Sequence, residues 1–176
     1  MGFPKALLEY RGETFLDRLM RVFTARCKTV IVVLGAGAAE IQRRAAVPGV
    51  RIVVNEDWPS GQTSSMLRGL REVPADASGV LFTLVDHPAV APETVDALLA
   101  GTGRVRIPRF GGRRGHPIWF SRDLIPEFLA LPANAAARDV VRAHYPETEW
   151  LDVGDPGIVA DIDDPAAYRA LVGAGA

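Results

Sequence analysis

The sequence predicts an α/β protein with a largely parallel sheet. Three observations carry this. Short β-favouring runs alternate with helix-like segments along the whole chain, the order that builds parallel α/β sheets. One run, Val80 to Val85, is almost wholly apolar and follows Gly79, as suits a strand buried on both faces. Asp86 comes directly after that run, and Pro88 blocks easy continuation. A carboxylate there sits at the carboxyl end of a strand, where open α/β sheets bind ligands. Asp86 reads equally well as the cap of a turn or of the next helix.

Bulk properties bound the rest. A chain of 176 residues suits one domain, residues 1–176, with a real core. Hydrophobic content is 48% and charged content 23%, which argues against disorder. A net charge of −1 gives no footprint for nucleic acid or a membrane surface. Cys27 is the only cysteine, so no intrachain disulfide forms and a reducing compartment is expected. No apolar run approaches the roughly 18 residues of a membrane span, and no basic-then-apolar leader opens the chain. A cytoplasmic location is expected.

The elements follow in order. Pro4 and Lys5 fall in an irregular start, and Arg11-Gly12 marks a turn. Thr14 can cap a helix whose apolar face is Phe15, Leu19, Val22 and Phe23. Residues 29–37 read as a strand and a glycine-containing turn, followed by a helix over Ala38 to Ala46. Gly35-Ala36-Gly37 lacks the third glycine of a dinucleotide fingerprint. Val50 to Val54 is a strand ending in Asn55. The next segment carries Pro59, Gly61, Thr63, Ser64 and Ser65, with a helix from about Ser64 to Val73. Hydroxyls and free N–H groups at a helix start can bind phosphate or ribose, or can simply cap.

Beyond Asp86, a helix starts at Pro92-Glu93 and ends near Leu99. Val105 to Pro108 and Pro117 to Phe120 read as strands around a loop holding Arg113, Arg114, Gly115 and His116. Such a basic loop can meet an anionic substrate or be a solvated turn. Ser121 to Leu131 and Ala135 to His144 read as helices, and Glu149 to Val153 as a strand. Asp161, Asp163 and Asp164 then precede a final helix opening at Pro165. In an extended segment Asp161 and Asp163 share one side, where they can face a cation. Capping by Asp164 with solvated neighbours is the plainer alternative.

Two acidic groups distant in sequence, Asp86 and the Asp161–Asp164 cluster, can converge at one sheet edge. An all-oxygen donor set suits a hard ion, Mg²⁺ first among them beside phosphates. Lys5 and the arginines can offset charge during phosphoryl or nucleotidyl transfer. No acyl-transfer constellation is present.

Six stretches in consistent order carry a resemblance: MGFPKALLEYRGETFLDRL, VIVVLG, VVNEDWPSGQTSSMLRGL, VLFTLVDHP, IPRFGGRRGHPIWF and GIVADIDDPAAYRAL. Together they resemble the MobA-like nucleotidyltransferases, most closely the branch containing molybdenum cofactor cytidylyltransferase. The resemblance implies a Rossmann-like nucleotidyltransferase fold, a mainly parallel three-layer α/β/α sheet. It implies Mg²⁺-dependent transfer of a nucleoside monophosphate, CMP favoured, from CTP to a phosphorylated acceptor such as molybdopterin, with pyrophosphate released. A molybdoenzyme partner is conceivable in that setting. By position, Lys5 matches the lysine that contacts nucleotide phosphates. Asn55, Gly61, Ser64 and Ser65 match the segment that helps hold the nucleoside. Asp86 matches the metal-binding acid, and Asp161 and Asp163 the C-terminal acidic motif, with Asp163 favoured. Arg114 and His116 fall on the acceptor side.

The family's first strand and its LAAGxSxR loop have no counterpart here, because the chain starts at the MG of the motif. A late start codon, truncation and loss of catalysis are the three explanations. Two expectations follow: an open place in the sheet, and poor nucleotide transfer by this chain. The alternative function is a non-catalytic nucleotide- or pterin-binding protein serving molybdoenzyme maturation. A glycosyltransferase D-x-D reading of Asp161-Ile162-Asp163 is disfavoured by its terminal position.

Overall fold

The computed structural model describes residues 4–44, 49–132 and 135–173. A 3₁₀ turn at Lys5–Leu7 leads into a small hairpin, β1 (Glu9–Tyr10) and β2 (Glu13–Thr14), and then α1 (Phe15–Thr24). The Thr14 hydroxyl accepts from the Asp17 N–H at 3.0 Å, the cap read from the sequence. The parallel pair β3 (Val30–Leu34) and β4 (Val50–Val54) flanks α2 (Ala38–Arg44), and α3 (Gln62–Leu70) follows. The expected last turn of α2, Ala45 and Ala46, lies outside the described residues.

The second half holds β5 (Gly79–Phe82), α4 (Pro92–Ala100), β6 (Val105–Phe110), β7 (Arg113–Arg114) and β8 (Ile118–Ser121). It continues through α5 (Ile125–Leu129), α6 (Ala137–Ala143) and β9 (Thr148–Asp152) to α7 (Pro165–Gly173). β8 lies between β5 and β6 and is antiparallel to both, while β9 is parallel to β6. So β5, β6 and β9 run one way and β8 the other. The class is α/β, with a mostly parallel central sheet. Among the described residues no helix is long and apolar enough to cross a membrane.

Strand alternation makes three layers. Val80 and Phe82 pack with Met66 and Leu70 of α3, Phe128 of α5 and Val140 of α6. Leu81, between them, packs on the other face with Leu19, Val22 and Phe23 of α1 and Val95 of α4.

Several element readings need correction. The run from Val80 to Val85 is not a six-residue strand buried on both faces. β5 ends at Phe82, and its residues are only half-buried. Ser121 to Leu131 splits into a 3₁₀ turn and the short α5, with Pro126 in the first turn of that helix. The Arg11-Gly12 turn closes the β1–β2 hairpin, taking positive φ at both residues, 54° and 80°.

The half-burial of β5 has a cause in the topology. Among the described residues, β3–β4 and the five-stranded sheet are separate ladders. Leu34 accepts from the Asn55 N–H, and Ser78 from the Arg122 N–H. Alternation then turns the backbone groups of Ile31 and Val33, and of Gly79 and Leu81, away from their ladders. The two free edges still share a core, since Val30 and Leu81 join one hydrophobic cluster. Amide hydrogen exchange at Ile31, Val33, Gly79 and Leu81 is expected to run about 100-fold faster than at Val32 and Val80. Equal, strong protection at all six amides in the monomer would contradict an open edge.

Candidate functional site

Three chain segments meet beyond the end of β5. The first is the loop Thr83 to Pro88, which carries Asp86 and His87. The second is the 3₁₀ turn that opens at Lys5. The third is the stretch between the 3₁₀ turn Pro156–Val159 and α7, holding Asp161 to Asp164. The Ile162 N–H donates to the Asp86 carbonyl at 2.9 Å, tying the last segment to the first. Ile162 is buried, so Asp161 and Asp163 both face outward, as strand-like alternation requires.

Lys5 stands between the acids. Its Nζ lies 2.6 Å from Asp163 Oδ1 and 3.9 Å from Asp86 Oδ2. The structure thus brings together Lys5, Asp86 and Asp163. Asp164 caps α7, accepting from the Ala166 and Ala167 N–H groups. Asp86 Oδ1 is buried without a hydrogen-bond partner among the described residues. Burial pushes the Asp86 carboxyl above its usual range, against the opposing pull of His87 and Lys5.

These groups fit a hard divalent cation. The donors are carboxylate oxygens, one of them orphaned, and an ammonium already shows that positive charge is favoured between them. Among the described residues no cluster of three or more His, Cys, Asp or Glu forms a protein cage.

His87 was not nominated from sequence, although it stood in the quoted VLFTLVDHP stretch. It is buried, and its Nε2 lies 3.8 Å from Asp86 Oδ1. Its ring packs against that of His116 at 4.8 Å between centroids. Nδ1 of both histidines is buried and unpartnered among the described residues. Burial, and then His87, press the His116 pKa down to about 4, so His116 is neutral at pH 7. A lone histidine beside an acid has no spacing to read, which is why sequence reasoning passed over it.

The Asn55 to Ser65 segment is tied together by its own side chains. Asn55 is buried, and its Nδ2 donates to Ser64 Oγ at 2.9 Å and Ser65 Oγ at 3.0 Å. Its Oδ1 accepts from the Asp57 N–H. The side chain therefore pins the end of β4 to the start of α3. Gly61 takes φ 103° at the N-cap of α3, a conformation that L side chains rarely adopt. Gly61 and Ser64 line a cavity of about 700 Å³ between α3, α6 and the sheet. Arg114 and His116 line the same cavity. Arg114 stacks over Tyr145 at 5.6 Å.

Comparison with known proteins follows this geometry. The family model for the MobA-like NTP transferase domain matches residues 1–148. Nicotine blue oxidoreductase of Paenarthrobacter nicotinovorans is 34% identical, over 96% of this chain and 88% of that protein. Molybdenum cofactor cytidylyltransferase of Escherichia coli K12 is 25% identical, over 94% of this chain and 85% of its own. Rv0371c of Mycobacterium tuberculosis H37Rv, solved as a complex with manganese, superposes with a TM-score of 0.81 at 29% identity, covering 98% and 93% of the two chains.

Proposed function

The chain belongs to the MobA-like NTP transferase domain family, and from that premise we propose that it moves CMP from CTP to a phosphorylated, pterin-type acceptor with Mg²⁺. The observation that carries this is the Lys5, Asp86 and Asp163 cluster, a cation between two carboxylates at the end of β5. An acceptor phosphate oxygen would form a bond to the α-phosphorus of CTP as the bond to the β-phosphate oxygen breaks. The electron pair leaves with pyrophosphate. Asp86 and Asp163 would hold the metal, which supplies charge stabilisation for the phosphates. Lys5, released from Asp163, would meet the triphosphate. Neutral His116 would hydrogen-bond the acceptor rather than pair with it as a cation. Asn55 and Ser65 would shape the nucleoside side, with Asn55 acting through the loop it pins, and Gly61 and Ser64 would stand where that side meets the cavity they line.

The test is CTP and GTP binding with and without Mg²⁺, followed by pyrophosphate release on adding molybdopterin. Mg²⁺-dependent binding with CTP preferred, followed by pyrophosphate release, supports the proposal. Binding without any release favours the non-catalytic maturation role. No nucleotide binding under any metal condition would overturn both.

A second reading is redox chemistry on a planar aromatic substrate. The 34% identity to the protein named nicotine blue oxidoreductase and the largely apolar cavity beside His116 favour it. Reduced nicotinamide oxidation that depends on an aromatic dye, with no nucleotide transfer, would select it.

A further inference from the structure

The cavity between α3 and α6 has a composition that the metal cluster does not explain. Its floor is apolar: Met66 of α3, Phe82, Ile107 and Ile118 of the sheet, and Val141 of α6. Three arginines stand around it, Arg114 on one wall and Arg138 and Arg142 on α6. Arg138 and Arg142 are four residues apart, so they share a face of the helix. Both are exposed. Arg142 Nη1 has Asp139 Oδ1 at 3.6 Å. Arg114 and Arg138 have no ion-pair partner among the described residues, and Asp57 is the sole carboxylate in the lining.

Three arginines against Asp57 and the Asp139 neighbour of Arg142, above an apolar floor, leave positive charge in excess and select an anion carried on an apolar body. A volume near 700 Å³ is that of a small-molecule site. The cavity also reaches the reacting centre. His116 lines it and packs on His87, the neighbour of Asp86.

We infer that this cavity receives the ring system of the acceptor, and that Arg138 and Arg142 read a second anionic group on it, remote from the phosphate that attacks. The arginines are then specificity-determining residues, and the acceptor is a ring-bearing molecule with at least two anionic groups. Its identity as the acceptor rests on the nucleotidyl-transfer reading; the anion subsite does not. Planar guanidinium groups suit phosphate and carboxylate oxygens, and the apolar floor supplies affinity for the ring.

The test uses the whole chain and three probes in calorimetry: 1-naphthyl phosphate, neutral 1-naphthol and inorganic phosphate. Naphthyl phosphate is expected to bind at least about tenfold more tightly than either part alone, as charge-assisted contacts imply. The double variant Arg138→Ala/Arg142→Ala should lose about tenfold or more for naphthyl phosphate, leaving naphthol and Mg²⁺–CTP binding unchanged. Arg138→Lys/Arg142→Lys should recover part of the loss. Naphthol binding as tightly as its phosphate, or a double variant that binds like the wild type, would overturn the inference. Arginine-dependent naphthyl phosphate binding without Mg²⁺–CTP binding would sink the transfer reading and keep the subsite.

Discussion

Replacing Asp86 by asparagine is expected to abolish metal-dependent nucleotide binding while raising the stability of the fold. The two effects share a cause. Asp86 Oδ1 is buried without a partner among the described residues, and burial lifts the pKa of the carboxyl. A group whose folded pKa lies above its unfolded value stabilises most when protonated and loses that contribution as pH rises through the folded pKa. Asparagine imitates the neutral form at every pH. The variant should therefore gain on the order of 1 kcal/mol at pH 7, or about 2–4 °C in Tm. The gain should shrink as pH falls towards about 4, the unfolded carboxyl value. Lys5 keeps its 2.6 Å contact with Asp163, so the cluster does not collapse. Thermal melts at both pH values check the stability arm. An unchanged CTP affinity would remove Asp86 from the mechanism.

Gly115→Ala is expected to be the most damaging small substitution near the site. A Cβ there would lie 2.1 Å from the Ile158 carbonyl oxygen, a backbone atom that cannot swing aside. Ile158 is fully buried, and its carbonyl accepts from the His116 N–H at 2.9 Å. On the opposite side, a Cβ on Gly157 would stand 2.3 Å from the Ala89 carbonyl oxygen. The 3₁₀ turn Pro156–Val159 is thus clamped between the His116 loop and the chain after Asp86. It leads into the stretch that sets Asp163 beside Lys5. Overpacking against backbone should cost about 3 kcal/mol or more, roughly 6–12 °C in Tm, and should weaken metal-dependent CTP binding. Gly154→Ala, where a Cβ meets nothing within 4 Å, is the control and should stay within about 0.5 kcal/mol of wild type. Matching melting curves for the two variants would contradict the clamp.

The clamp also shows what the sequence could carry and what it could not. Asp86 was legible because a β-favouring run, an acid and a proline follow one another within nine residues. α1 was legible because Thr14 and the Phe15, Leu19, Val22, Phe23 stripe agree. The α/β class came from alternation, and the family from six motifs in order. The Lys5–Asp163 contact spans 158 positions, and no local pattern announces it. β8 running antiparallel between two parallel strands is likewise set by pairing and not by propensity. His87 was hidden by its brevity as a signal. Asn55 falls in the segment matched to nucleoside holding, but the bonds of its buried amide to Ser64 and Ser65 leave no mark in the sequence. Nothing in the spacing of Arg138 and Arg142 announces the cavity that they line.

A metal-and-nucleotide site built from Lys5, Asp86 and Asp163 stands at the centre of these expectations. Electron paramagnetic resonance of Mn²⁺, titrated with wild type and with Asp86→Asn in the presence of CTP, examines it most directly. Wild type should immobilise Mn²⁺ in a CTP-dependent manner, and Asp86→Asn should leave the spectrum that Mn²⁺ and CTP give without protein. The same bound spectrum from both proteins, or a wild-type signal indifferent to CTP, would contradict the site.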